Sequence, residues 1–212
     1  MMNNYLITGG AGFFGSILKE NLVEEGNFVL SIDLEDDDYE NKNFKHVKGD
    51  IRDLELLDKI CDEYKFDAIF HCAALLAHEV KDKNDLWTSN VDGTRNIVEF
   101  AEKNGCDKLI FISSNCLWGH NFDSQVTEEE IPNPVEIYGK SKLEGEKILF
   151  EHKDKVNSII FRSPTIVDEG RLGLLSLLFE FIDDNKKIPI VGNGNNRYQF
   201  IYGTSYVKCF KL

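Results

Sequence analysis

The stretch that most constrains this chain is Thr8-Gly9-Gly10-Ala11-Gly12-Phe13-Phe14-Gly15. It follows a short apolar run, Tyr5-Leu6-Ile7, and precedes a helical pattern, so it predicts a strand, a turn nearly free of side chains, and a helix. Glycine at 9 permits a sharp exit from the strand. Glycine at 12 lets backbone approach a ligand's phosphates, and glycine at 15 lets the new helix lie close on its strand. A helix N-terminus offers N–H groups and a partial positive charge, which stabilise a pyrophosphate without a basic side chain. The turn, with Gly9, Gly12, Phe13, Phe14 and Gly15, is the expected cradle of a dinucleotide.

The pattern then alternates. Apolar runs predict strands over 4–8, 28–32, 44–48, 67–71, 108–113 and 157–161, and period-3.6 patterns predict helices over 13–25, 84–103, 138–152 and 171–184. Gly26 supplies a stop for the first helix, and Asp53 is a cap for another after strand three. Residues 119–137, polar and holding Pro132 and Pro134, read as a loop. Short strand-like pieces are expected in 188–212 around Gly192, Gly194 and Gly203. Alternation of this kind argues for an α/β fold, a doubly wound parallel sheet of Rossmann type with helices on both faces.

With 212 residues, 42% of them hydrophobic, the chain can bury an ordinary core. A net charge of −13 disfavours a broad surface for nucleic acid or anionic lipid. The five cysteines form no CxxC pair and no zinc spacing, so no metal is expected and the thiols read as reduced, in a cytoplasmic protein. The first strand starts almost at once, without a signal peptide, and the apolar stretch from Leu172 to Ile182 is too short to cross a membrane.

Asp33 ends strand two about 20 residues past the glycine turn, where a carboxylate can accept both hydroxyls of an adenosine ribose and would repel a 2′-phosphate. NAD is therefore expected over NADP. The following Glu35-Asp36-Asp37-Asp38 reads as a solvated acidic loop. Asp50, at the end of strand three, is placed beside the adenine. Cys72, Ala73 and Ala74 after strand four suit close passage of a cofactor, while His71 reads as a core residue. Asn90 shares a helix face with Thr94, Ile97 and Ala101, so its amide turns inward and must bind backbone near the active centre or cap a neighbouring strand. Cys116 reads as a buried spectator thiol. Strand five ends in Ser113-Ser114, on the carboxyl side that lines the ligand crevice of such sheets.

Tyr138 and Lys142 stand four apart at a helix start, on one face. A free phenol has a pKa of about 10; a neighbouring ammonium stabilises the phenolate and brings that value toward working pH. Tyr138 could then take a proton from a substrate hydroxyl, with Ser114 orienting the reacting oxygen and Lys142 holding the nicotinamide ribose.

Taken in order, Thr8-Gly9-x-x-Gly12-x-x-Gly15, Asp50-Ile51, Asn90-Val91-x-Gly93-Thr94, Ser113-Ser114-x-x-Leu117-Trp118-Gly119 and Tyr138-Gly139-x-Ser141-Lys142 resemble the extended short-chain dehydrogenase/reductase family, in particular its NAD-dependent sugar-nucleotide epimerases and dehydratases. The resemblance covers essentially the whole chain. It implies a tightly held NAD, hydride transfer to and from the nicotinamide, and Ser114, Tyr138 and Lys142 as the acid–base set. Asp33, Asp50, Ile51, Ala73 and Asn90 match positions that contact or support NAD. The resemblance also implies a nucleotide-sugar substrate, a homodimer through the helices near 84–103 and 138–152, and a substrate-phosphate arm at Arg197-Tyr198-Gln199-Phe200-Ile201. Arg197 would reach the substrate there. Thr165 stands where the family usually has Asn.

Asn115 and Cys116 occupy the positions of the carboxylates that the family's dehydratases and decarboxylases use. Asn cannot supply a proton as a carboxylic acid does. Epimerisation, or simple oxidation or reduction at one carbon, is what the resemblance leaves. Family members run longer, so residues 1–165 are expected to form the NAD-binding domain and 166–212 the beginning of an incomplete substrate-binding part. Two other readings stay open: a truncated homologue that binds NAD without catalysis, and an NADP-dependent reductase of a small carbonyl compound.

Overall fold

The computed structural model describes the chain except Met1, Glu79, His120, Asn121, Asp123, Ser124, Gly173, residues 189–192, Asn196 and the last two residues. It divides into two compact units, 1–162 and 163–212. The division falls ahead of the expected boundary at 165 and puts Thr165 in the second unit.

In the first unit six strands form one sheet: β1 (Asn4–Thr8), β2 (Phe28–Asp33), β3 (Phe44–Lys48), β4 (Ala68–His71), β5 (Lys108–Ser114) and β6 (Asn157–Ser163), whose last residue crosses the division. Their order is β3-β2-β1-β4-β5-β6, and β1 to β5 pair in parallel. The order reverses between β1 and β4, the switch point where open α/β sheets bind ligands. Every residue of β4 is buried, as a strand covered on both faces requires. The edge strand β3 is only half-buried.

The helices are α1 (Phe13–Glu24), α2 (Leu54–Glu63), α3 (Lys83–Asn104) and α4 (Ile137–Glu151). Asp53 caps α2 by accepting from the Leu56 N–H, as its position predicted. Gly105, at φ 77°, ends α3 in the left-handed conformation. Gly9, at φ 75°, turns the chain out of β1, and a Cβ there would stand 2.7 Å from the Ala73 nitrogen. At Gly15 a Cβ would lie 1.9 Å from the Gly9 carbonyl oxygen. The start of α1 can approach the turn only because position 15 has no side chain.

His71 is fully buried and neutral. Burial, and then the nearby Lys142 charge, push its pKa down to about 3. Its ring joins three elements. Thr94 Oγ1 donates to the Asn90 carbonyl at 2.6 Å and so accepts from His71 Nε2 at 2.8 Å; His71 Nδ1 then accepts from Thr8 Oγ1 at 2.7 Å. The core reading of this residue holds, and the tautomer is set by its partners.

In the second unit β7 (Thr165–Val167) pairs in parallel with β8 (Phe200–Tyr202), and two helices follow their strands, α5 (Leu174–Asp183) and α6 (Gly203–Val207). Asp168, at the end of β7, accepts from Thr204 N at 2.8 Å and Thr204 Oγ1 at 2.9 Å, which fixes the start of α6. β8 is the strand-like piece expected around Gly203, and Gly203 itself opens α6. Gly192 lies outside the described residues.

Two tests follow from this packing. Gly15→Ala lowers stability by about 2 kcal/mol or more, read as a shift of the urea midpoint; an unchanged midpoint would show that the turn yields to a methyl group. The second test is acid titration of stability. Below the unfolded histidine value of 6.5 the unfolded chain binds a proton that folded His71 refuses until about pH 3, so stability falls as pH drops through this window. Between pH 7 and pH 4 the loss is about 3 kcal/mol, and His71→Gln flattens the profile by that amount. Parallel profiles for the two proteins would contradict a neutral buried imidazole.

Candidate active site

The carboxyl ends of β1, β2, β4 and β5 converge with the start of α4 around the switch point. At the turn after β1, Gly9 N donates to the Ile32 carbonyl at 2.8 Å and Gly12 N to the Gly9 carbonyl at 3.2 Å. Gly12 caps α1 without a side-chain hydrogen bond, and no acidic side chain stands in the first turn. The positive end of α1 is thus left for an external anion. A Cβ at Gly12 would meet only the Gly9 oxygen within 4 Å, so the outer side of the turn is open. Phe13 is half-buried and Phe14 buried.

Asp33 joins two loops. Its Oδ2 accepts from Ala11 N at 2.9 Å and its Oδ1 from Glu35 N at 3.1 Å. A carboxylate has about four acceptor positions, so two remain for a pair of hydroxyls. Arg52 grips both oxygens of Asp50, at 3.0 and 2.6 Å, and reaches Asp85 at 2.6 Å. Burial works against the Asp50 charge, but the Arg52 hydrogen bonds outweigh it and hold the carboxyl below its usual range. Ile51 is a core side chain packed against Gly93.

The acidic loop after β2 departs from the expectation. Glu35, Asp36 and Asp38 are exposed, but Asp37 is not solvated. Its carboxylate pairs with Lys19 of α1 at 2.5 Å, and the two side chains are 5% and 3% exposed. A charge run predicts solvent by default, and a partner 18 positions away, brought in by tertiary packing, leaves no local signal.

Asn90 resolves to backbone binding. Its Oδ1 accepts from Leu75 N at 2.8 Å, and its Nδ2 donates to the Leu75 carbonyl and to Ser141 Oγ, each at 3.0 Å. Ser141 in turn donates to the Tyr138 carbonyl at 2.8 Å. The amide ties the loop of Cys72, Ala73 and Ala74 to the first turn of α4. Cys72 as a residue is half-buried, yet the surroundings of its sulfur push the thiol up to about 12, with Lys142 pulling the other way. It stays protonated and is no nucleophile.

Lys142 is 2% exposed. Its Nζ donates to the Ile112 carbonyl of β5 at 2.8 Å, 4.8 Å from the Phe111 ring centroid and 5.9 Å from that of Tyr138. Among the described residues no carboxylate lies within ion-pair distance of it. Burial lowers its pKa to about 8, while Cys72 and Glu146 pull the other way. Ser114 Oγ accepts from Cys116 N at 3.1 Å, which leaves its proton to donate. Cys116 is half-buried, not enclosed.

One group went unnoticed in the sequence. Glu146, 1% exposed, accepts from Ser113 Oγ at 2.6 Å and takes Arg162 in a forked pair, with Nε at 3.1 Å and a terminal nitrogen at 2.8 Å. The Arg162 guanidinium lies 5.3 Å from the Trp118 ring centroid. The signal was available: Glu146 follows Lys142 by one helical turn on the same face. Thr165 and Arg197 both lie in the second unit, exposed.

The residues around the switch point can hold a dinucleotide: an open glycine turn at a helix start, a carboxylate for a ribose diol, and a buried ammonium beside a phenol. The sequence profile described as the NAD dependent epimerase/dehydratase family matches residues 5–212. An uncharacterised protein of Sinorhizobium fredii is 35% identical over 93% of this chain, and the chain spans 50% of that relative's length. A putative UDP-glucose 4-epimerase of Methanocaldococcus jannaschii is 32% identical over 93% of the chain, which covers 68% of it. Among solved structures, the UDP-glucose 4-epimerase of Thermotoga maritima with UDP-glucose superposes with a TM-score of 0.83 at 26% identity, over 97% of this chain and 71% of that one. The six-stranded order, the glycine turn and a match that runs nearly end to end agree: the chain belongs to the NAD dependent epimerase/dehydratase family.

Proposed function

We propose that the chain carries the NAD-binding part and the acid–base set of an enzyme that oxidises or epimerises one carbon of a nucleotide-sugar. The observation that carries this reading is the buried Lys142 ammonium, unpaired by any carboxylate among the described residues and facing Tyr138 across one helical turn. Burying such a charge costs stability, so it calls for a return in chemistry.

NAD would lie with its pyrophosphate on the turn of Gly9, Gly12 and Gly15 and its adenosine ribose on Asp33, with Ala73 and Ala74 allowing close passage. When bound, it supplies a two-electron acceptor and donor at the reacting carbon. Tyr138 takes the proton of the substrate hydroxyl as base and returns it as acid. Lys142 stabilises the phenolate electrostatically. Ser114 donates to the same substrate oxygen and fixes its direction. Asn90, through Ser141, sets the start of α4 and so the placement of Tyr138. Asn115 and Cys116 provide no carboxylic acid for water loss, which favours epimerisation or simple oxidation and reduction. The reading extends to a homodimer through the outer faces of α3 and α4, where Phe150 is exposed, and to a cytoplasmic location suited to five free thiols.

A non-catalytic NAD-binding homologue is the second reading, since the glycine turn and Asp33 would serve a dinucleotide without Tyr138. Calorimetry with NAD, and turnover assays on a panel of UDP-, GDP- and dTDP-sugars, separate the two. The enzyme reading expects NAD binding, turnover of one sugar, and a loss of about 100-fold or more in turnover for Tyr138→Phe with NAD affinity retained. Full turnover by Tyr138→Phe would overturn the acid–base assignment, NAD binding with no turnover would favour the second reading, and no dinucleotide binding would remove both.

Lys142 adds a stability test. The folded protein loses the Lys142 proton near pH 8 and the unfolded chain near the ordinary 10.5, so stability rises with pH between those values. At pH 7 the buried charge costs about 3 kcal/mol. Lys142→Met should therefore unfold at no lower urea concentration than the parent while losing turnover. A large drop in the midpoint would mark Lys142 as structural.

A further inference from the structure

The buried ion pair between Lys19 and Asp37 lies outside the chemistry described above. Lys19 projects from α1, one turn after the glycine motif. Its Nζ sits 5.2 Å from the ring centroids of both Tyr39 and Phe44, which meet edge to face at 5.3 Å. Asp37 closes this aromatic cage and also accepts from Tyr39 N at 3.1 Å. The rest of the loop is tied as well. His46 Nε2 meets the Glu35 carbonyl at 3.0 Å while its Nδ1 meets Ser31 Oγ at 2.8 Å, and the exposed Asp36 pairs with the exposed Lys48 at 2.6 Å. Asp33 stands at the root of the loop and holds it through Glu35 N.

A buried ion pair is weak evidence for stability; its best-attested use is to select one conformation. Here the conformation selected is that of the acidic loop adjoining the adenosine ribose position. Rejection of a ligand needs a repulsive element that cannot move aside. A free acidic loop would swing away from a 2′-phosphate, with Asp33 following, whereas a loop fastened to α1 keeps its carboxylates in place. We propose that the Lys19–Asp37 pair is a positioning device for cofactor selection: it latches the β2–β3 loop to α1, so that Asp33 keeps its aim at the ribose diol and NADP is refused. This rests on the NAD reading above.

The test compares Asp37→Asn with Asp36→Asn. Each removes one negative charge from the same loop, but only the first opens the latch. Because Asp37→Asn leaves the Lys19 ammonium buried without its counter-charge, the double variant Lys19→Met/Asp37→Asn, which opens the latch and leaves no buried charge, is measured beside it and is expected to show the same loss of preference. Dissociation constants for NAD and NADP are measured by calorimetry, and hydrogen exchange over residues 34–41 is followed without cofactor. In Asp37→Asn the NAD preference, the ratio of the two constants, should fall about tenfold, or about 1.4 kcal/mol, mainly through tighter NADP binding. Exchange across the loop should quicken, and Asp36→Asn should change neither by more than twofold. Equal losses of preference in the two variants would reduce the effect to charge and overturn the latch, as would an unchanged ratio or unchanged exchange in Asp37→Asn. A parent protein that binds neither dinucleotide would overturn the NAD reading and the latch together; one that prefers NAD, with a preference Asp37→Asn leaves intact, would overturn the latch alone.

Discussion

The arrangement of the site depends on a run of buried hydrogen bonds through a neutral histidine. Thr8 closes β1, His71 closes β4, and Thr94 and Asn90 stand on α3; the same Asn90 reaches Ser141 and so the first turn of α4. β1 and β4 pair at the switch point of the sheet, and past their carboxyl ends the chain turns toward helices on opposite faces, leaving a gap. Apolar packing alone resists sliding poorly, since it is non-directional. Directional bonds across the gap fix the glycine turn relative to Tyr138. A histidine suits the position because its neutral ring is one donor and one acceptor on opposite edges, and both are used. Protonation would leave Nδ1 a donor facing a hydroxyl that already donates.

The two ends of the proposed cofactor site are built by different means. At the adenosine end the groups are backbone amides and one carboxylate, Asp33, whose hydrogen bonds to Ala11 and Glu35 tie two loops together. Nothing there is strained by an unpaired charge. At the reactive end a lysine ammonium is enclosed with one carbonyl partner and two aromatic faces. Ring faces attract a cation without neutralising it, so the field of Lys142 still reaches Tyr138. The adenosine end is stable as built, and the end proposed for catalysis carries a destabilising buried charge, the division expected where stability is given up for chemistry.

The parts legible in the sequence are those set by local rules. The glycine turn, β1 to β5, the Asp53 cap and the inward face of α3 each follow from spacing over a few residues, and the structure has them with ends shifted by a residue or so. His71 was legible as core because it closes an apolar run. What escaped depends on approach between distant segments. Asn90 could be placed inward by period, but its partners Leu75 and Ser141 come from two other elements. Asp37 looked solvated because three acidic neighbours are, and only the packing of the loop on α1 reverses that. The strand-like piece beside Gly203 was legible, but the helix that starts there was not, because it is fixed by Asp168, 36 positions before Thr204.

Glu146 shows why the reactive end can keep its charge. It stands one helical turn after Lys142, at the spacing that ordinarily makes an ion pair on a helix. A carboxylate bound directly to that ammonium would cancel its field at Tyr138 and convert the proposed acid–base partner into a structural bridge. Arg162 prevents this by occupying both Glu146 oxygens in a fork, with Ser113 adding a third hydrogen bond. Guanidinium geometry is matched to that task, whereas an ammonium would bind one oxygen and leave the other to turn toward Lys142. The result is a carboxylate close enough to support the Lys142 proton through space and too fully engaged to capture it. Arg162, 24 positions from Tyr138, thereby keeps Glu146 from pairing with Lys142 and leaves that charge to the proposed site.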